Sequence, residues 1–150
     1  MDSRRLLPAV ALCSLLLLTA CGGGGYGGLP TEAPPTADSL TIIRAEPSEG
    51  TALPRGSNVS FRIRVRFEMA QATTGSVAAS AFSLSASGPG IIFTNPLFPE
   101  TRISGNRGEA ELTFSLPVPQ SATEVLIDVG LFTGNSGSST VGDELIYSTQ

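Results

Sequence analysis

The chain has 150 residues and a net charge of −4, with nine basic residues against 13 acidic ones and a pI of about 4.7. This acidic balance gives no general basic surface for nucleic acid, and the length fits a leader, a linker and one small domain. The chain has no His and no Trp, and all nine basic residues are Arg.

These absences restrict the chemistry that the chain can perform. Without His it lacks the commonest general base and metal ligand, and without Lys it lacks the Schiff-base amine and the lysine of phosphate-binding loops. No side chain can activate one of its many Ser hydroxyls, and no carboxylate pair is flanked by sugar-stacking aromatic residues. We therefore predict that the protein is not an enzyme and has no catalytic residue, no cofactor and no metal site.

The N-terminus has the composition of an export signal. Arg4 and Arg5 give a positive start, and residues 6–18 are apolar, too few for a comfortable membrane span but suited to a signal peptide. The apolar run ends in Leu18-Thr19-Ala20-Cys21, which resembles the lipobox of bacterial lipoproteins. The alternative is an uncleaved or ordinarily cleaved secretory signal with an accidental Cys.

The lipobox resemblance implies a lipid anchor at Cys21. In that family the Cys thiol is diacylated with palmitate-type chains and the signal, here residues 1–20, is removed before it. Two or three acyl chains hold a protein stably at a membrane. Gly22, rather than Asp, follows the Cys, and by the sorting rule of enteric-type bacteria this favours the outer membrane over retention at the inner one. We expect a lipid-anchored protein of the bacterial cell envelope.

Residues 21–39 are predicted to be a flexible linker that starts at the lipidated Cys. Residues 22–28 are glycine apart from Tyr26, and Pro, Thr and Ala dominate the rest. Such a coil has a root-mean-square span on the order of 20–25 Å. The other cysteine, Cys13, lies in the signal, so the predicted domain, residues 40–150, contains no disulfide.

Three segments of the domain alternate apolar and polar residues, the period of a half-buried strand. They cover residues 58–69, 109–116 and 124–132, and the third is less polar on its second face, which suggests a central strand. Weaker strands are predicted at 40–45, 81–86, 91–93 and 144–148, separated by turn signals that include 88–90. No segment reads as a helix, although 69–81 is Ala-rich and can hold a turn.

About seven short strands with regular turns predict an all-β fold, a single antiparallel β-sandwich, with a small β-barrel as the competitor. The segment Pro47-x-x-Gly50, followed by Gly56-Ser57-Asn58-Val59-Ser60-Phe61, resembles bacterial Ig-like and fibronectin-III-like envelope domains. The resemblance extends over residues 40–148 only as a similar pattern of strands and turns. The conserved Cys and Trp residues of true immunoglobulin domains are absent.

Arg62, Arg64 and Arg66 share the outward face of one strand, and two hypotheses follow. The first is a basic stripe that binds an anionic ligand, such as lipopolysaccharide phosphates or an acidic polysaccharide. The second, which we favour, is a cross-strand charge ladder with Glu109 and Glu111 on the neighbouring strand, because the second and fifth strands of an Ig-like sandwich pair.

Two weaker candidates lie near the C-terminus. Asp128, Asn135, Asp143 and Glu144 can meet around Ca²⁺, but their spacing matches no calcium motif, and the loop between residues 133 and 144 is either a recognition loop or a plain surface loop. Leu126, Phe132 and Tyr147 can form an apolar patch on the outer face of the second sheet, unless residues 91–98 fold over and bury them. We favour burial of the patch.

The sequence therefore predicts a lipid-anchored, non-catalytic module that binds or positions another envelope component. The alternative is an accessory or structural lipoprotein subunit of a larger envelope assembly. The expected partners are the membrane, through the anchor, and an envelope protein or glycan, but not nucleic acid.

Overall fold

A computed structural model describes residues 32–133 and 141–150 of the chain. Eight antiparallel strands and no helix are present in these residues. Their bounds are β1 (Ser39–Glu46), β2 (Asn58–Glu68), β3 (Thr74–Ser85), β4 (Gly88–Ile92), β5 (Glu100–Ser104), β6 (Arg107–Pro117), β7 (Ala122–Thr133) and β8 (Val141–Ser148).

The strands form the two sheets of a β-sandwich. One sheet has three strands in the order β1-β2-β6, and the other has five, in the order β4-β3-β7-β8 with β5 also paired to β3. β4 pairs with the second half of β3 and β5 with its first half. The pairing of β1, β2 and β6, opposite a sheet with β3, β7 and β8, is the strand order of an Ig-like sandwich. The predicted fold is confirmed, and the barrel alternative is not.

Alternation along β2 explains how the three-stranded sheet forms. Phe61, Ile63, Val65 and Phe67 are buried while the residues between them face solvent. β6 shows the same alternation, so each buried residue of β2 pairs with a buried or small residue of β6 without a shift in register. Burial of each large side chain on the apolar face of a strand contributes roughly 1.5–3 kcal/mol of transfer free energy. A shift by one residue would turn these side chains to solvent, so their burial fixes the register.

An aromatic cluster joins the two sheets in the core. The Phe61 ring stacks on Phe114 at 5.5 Å between ring centroids and meets Tyr147 edge-on at 5.4 Å. The Tyr147 hydroxyl donates a hydrogen bond to the Pro47 carbonyl at 2.8 Å. Burial, with a smaller contribution from the negative charge of Glu49, raises the pKa of Tyr147 to about 12. The core therefore holds a neutral phenol whose polar atom is satisfied.

Tyr147 corrects one prediction about the outer surface. It pairs with Val125, an inward residue of β7, and is fully buried. Its placement on the outer face with Leu126 and Phe132 was therefore wrong, whereas those two residues do lie half-buried on the outward side of β7. β7 runs between β3 and β8, as its two apolar faces predicted.

Asp143 connects the two edge strands β1 and β8, which belong to different sheets. Its Oδ2 accepts the Ile42 backbone N–H at 2.8 Å, and its Oδ1 accepts the Glu144 N–H at 3.0 Å. Glu49 accepts the N–H of Ile146, the next outward amide of β8, at 3.4 Å. Carboxylates thus occupy backbone donors that an unpaired edge would expose.

Three further elements differ from the sequence prediction. Strand β5 and the first half of β3 were not predicted, and residues 88–90, taken as a turn, begin β4. At the start of the domain, Asp38 lies in the predicted linker, yet its Oδ1 accepts the Ala70 N–H at 2.8 Å. Residues 33–150 form one unit of the chain.

Candidate functional site

The outer face of the three-stranded sheet carries the charge ladder. Arg66 donates to Glu109 Oε1 at 3.1 Å, Arg64 forms an ion pair with Glu109 Oε2 at 2.7 Å, and Arg62 lies 3.4 Å from Glu111. Arg66 lies directly opposite Glu109, whereas the other two pairs are diagonal, because the backbone register sets Arg64 opposite Glu111 and Arg62 opposite Thr113. The favoured interpretation of these arginines as ladder residues is confirmed.

Ion pairing reduces the value of this face as an anion site. All three arginine side chains remain more than half exposed, so each pair contributes about 0–1 kcal/mol to stability. On β1, Arg44 pairs with Glu46 at 2.5 Å. The face thus interleaves arginines with carboxylates, including the cross-strand pair Glu68 and Arg107, and a phosphate ligand would have to displace a carboxylate partner. Anion binding by Arg62, Arg64 and Arg66 stays a hypothesis.

The outer face of the five-stranded sheet is organised in rows that cross its strands. An apolar row contains Ile91, Phe82, Leu126 and Ile146, which are successive cross-strand partners on β4, β3, β7 and β8. The next outward row contains Ser80, Asp128 and Glu144, and the one after it Ala78, Gly130 and Gly142. We refer to these as the apolar row, the acidic row and the small-residue row.

A groove of about 550 Å³ lies over the acidic and small-residue rows. Its floor is low because Ala78, Gly130 and Gly142 carry little or no side chain, and the rings of Phe98 and Phe132 stand on its sides. A Cβ added at Gly142 would lie only 3.0 Å from the Val129 carbonyl oxygen, so a residue with a side chain would be crowded at this position. The volume is in the range of ligand sites in proteins, roughly 300–1,000 Å³.

The segment between β4 and β5 adds exposed apolar side chains beside this groove. Ile91, Phe93 and Phe98 are 66%, 64% and 65% exposed, and Leu97 and Ile146 also face solvent. Residues 91–98 therefore do not cover the outer face in the way that the favoured sequence interpretation expected. They extend the apolar surface, and Phe98 lies in the groove wall with Phe132.

Backbone hydrogen bonds hold this exposed segment in place. Asn95 pairs with Ser115 of β6 through two bonds of 2.7 and 2.8 Å, and the Ala79 N–H donates to the Pro99 carbonyl at 3.0 Å. Phe98 has φ of 52°, a left-handed conformation that bulky residues rarely adopt and that tends to occur at functional sites. Aromatic side chains held outward by such a framework are typical of a recognition surface.

The predicted calcium ligands are divided by the structure. Asp128 and Glu144 are cross-strand partners, but Asp143 is occupied with backbone amides, and Asn135 lies outside the described residues. Within residues 32–133 and 141–150, no group of three acidic, His or Cys side chains could hold a metal ion. Cys21 and most of the predicted 133–144 loop also lie outside the described residues.

Neither a protein-family model nor a curated protein matches the chain. A search of residues 32–133 and 141–150 for an apolar helix of membrane-spanning length found none.

Sequence reasoning missed most of the groove, although part of its signal was present. Leu126 and Phe132 on the second face of β7 were noted, but Phe82 and Leu84 were assigned to a weak strand of undetermined orientation. Phe98 and the acidic row depend on which residues become neighbours across strands. That information is in the register between β3, β7 and β8.

Proposed function

We propose that this chain is a lipid-anchored, non-catalytic module of the bacterial cell envelope that binds a protein partner through the outer face of its five-stranded sheet. The observation that carries the proposal is the apolar row together with Phe93, Leu97 and Phe98, held outward beside a groove. Contiguous exposed apolar surface of this kind marks partner sites on soluble domains.

The two faces of the sandwich differ in how far their side chains are already satisfied. The charges of the three-stranded sheet pair with each other, which gives a solvated face that resists association. The apolar side chains of the other face gain free energy only when a partner covers them, at about 25 cal/mol per Å² of apolar surface removed from water. This favours the five-stranded sheet as the binding face.

The N-terminal pattern supports the envelope part of the proposal. The lipobox resemblance places an anchor at Cys21, and Gly22 favours the outer membrane. A Cys21→Ala variant is expected to lose acyl labelling and to leave the membrane fraction. Unchanged membrane retention of that variant would contradict the anchor.

Site-specific photo-crosslinking in intact cells tests the binding face. A photoreactive residue at Ile146, in the apolar row, is expected to give a discrete adduct with one protein. The matched control is Thr113, an exposed residue of β6 on the opposite face, which should give none. Adducts of equal yield at both positions, or a glycan adduct at Ile146, would refute a protein site on this face.

The stoichiometry of the adduct separates the proposal from the alternative of an accessory subunit. A structural subunit of a larger assembly would crosslink quantitatively and co-purify at a fixed ratio. A binding module would crosslink in part and dissociate on dilution. Both modes would use the same face of the domain, so the crosslinked fraction in whole cells is the measurement that decides between them.

A further inference from the structure

We infer that the groove receives an arginine side chain of the partner, with its guanidinium between Asp128 and Glu144 and its stem along the phenylalanine walls. The inference rests on the proposed function, since it names the chemistry that the partner brings to the same face. The site is the groove lined by Phe98 and Phe132, and the negative charges of Asp128 and Glu144 in it favour a cationic occupant.

The acidic row gives the groove two negative charges, and no basic side chain is among its described lining residues. Arg44 of β1 lines a neighbouring pocket together with Glu144, but it is paired with Glu46 at 2.5 Å. Asp128 and Glu144 are direct cross-strand partners, and Glu124 is a third outward acid on β7. Among the described residues of the sheet, the outward basic residue is Arg102 on β5, aligned with Ser76 and Phe132. Ser76 is four residues from Ser80, about 13 Å along the strand, so Arg102 starts far from the acidic row.

The geometry suits a planar, forked cation. Side chains directly opposite each other on antiparallel strands have Cβ atoms roughly 4.5–5.5 Å apart, so one guanidinium can bond to both carboxylates. The apolar stem of the arginine would lie over the small-residue row, where Ala78, Gly130 and Gly142 leave space, and Phe98 and Phe132, which line the same groove, offer it ring surface.

The apolar row explains why the occupant is a side chain of a protein rather than a free cation. The acidic row lies between the apolar row and the small-residue row, so a cationic group in the groove has apolar sheet surface on one side. A peptide segment with an arginine followed or preceded by apolar residues covers both rows at once. A small ammonium ion covers neither.

Titration of the full lipidated chain in non-ionic detergent tests the inference. The probe is N-acetyl-arginine amide and its matched control N-acetyl-citrulline amide, which has nearly the same shape without the charge. Backbone amide NMR signals of Gly130 and Gly142 should shift saturably with the arginine probe, and the citrulline probe should bind at least about tenfold more weakly, the effect of one lost charge-assisted contact.

Variants locate the site. Asp128→Asn and Glu144→Gln should each weaken arginine binding by about three- to tenfold, and Glu124→Gln, an acid of the same face outside the groove, by less than about twofold. Equal binding of the two probes, no saturable shift up to the solubility of the probe, or equal effects of the three variants would overturn the inference. If the arginine probe fails while the Ile146 adduct persists, the inference alone is wrong. If the probe binds but Ile146 gives no adduct, the proposed function alone is wrong.

Discussion

Asp143 makes the connection between the edges of β1 and β8 testable. Replacing it with Ala removes the acceptors of two backbone amides, those of Ile42 and Glu144. The Glu144 amide is exposed and can form a hydrogen bond with water instead, at little cost in free energy. The Ile42 amide is partly buried, and an unsatisfied donor of that kind costs about 1–3 kcal/mol, so we expect Asp143→Ala to lower the free energy of unfolding by about 2 kcal/mol.

Two matched variants separate the lost hydrogen bond from the lost charge. Asp143→Asn keeps one oxygen for the Ile42 amide, so it should lose about half as much stability as Ala. Glu124→Gln removes an exposed acid on the neighbouring strand and should leave stability unchanged. The assays are urea unfolding of the full chain and hydrogen exchange at the Ile42 amide, which should accelerate most in Ala. Asn as harmful as Ala, or Ala as harmless as Glu124→Gln, would refute the reasoning.

Three further predictions concern the core and the acidic row. The unfolded chain loses the Tyr147 proton near pH 10.0 and the folded chain near pH 12. The contribution of the neutral phenol to the free energy of unfolding should therefore be complete below pH 10 and fall by about 2–3 kcal/mol as the pH rises to 12. Tyr147→Phe should flatten this part of the stability profile, and the absorbance change at 295 nm that titrates near pH 12 should disappear. Phe61→Ala should destabilise the domain by about 3–5 kcal/mol in urea unfolding, against a much smaller loss for the half-buried Phe82→Ala. Asp128→Asn should raise stability by about 0.2–1 kcal/mol, since it removes one of two like charges held directly opposite each other, and a destabilised variant would show that the carboxylate serves the fold instead.

The strands that the sequence predicts best are those in which apolar residues recur at every second position. β2, β6 and β7 have alternation over most of their length, and hydrophobic burial alone fixes their orientation. β5 was missed because Ile103 is its single buried residue, and one apolar side chain gives no period. The first half of β3 was missed for a related reason, since Gly75, Ser76 and Ala78 are small and carry little hydrophobic signal.

Site residues were predictable only where one strand contains them all. Arg62, Arg64 and Arg66 lie on β2, so their shared face follows from strand periodicity, and their Glu partners followed from the Ig-like order of strands. Tyr147 was assigned to the wrong face because five residues, 144–148, do not fix the orientation of a strand. The acidic row joins β7 and β8, and the groove wall at Phe98 joins a third element. Such neighbours depend on register, which is a tertiary property.

The pairing of Asn95 with β6 has a consequence for how copies of this protein coexist. Asn95 occupies both backbone groups of Ser115, and the Thr101 hydroxyl donates to the Glu111 carbonyl at 2.8 Å. Together with Asp143 on the other side, these bonds occupy backbone groups on both open edges of the three-stranded sheet. Molecules fixed to one membrane by the proposed anchor would meet far more often than molecules in free solution. Edges interrupted in this way are poorer templates for an added strand, which would help the molecules to crowd on that surface without pairing.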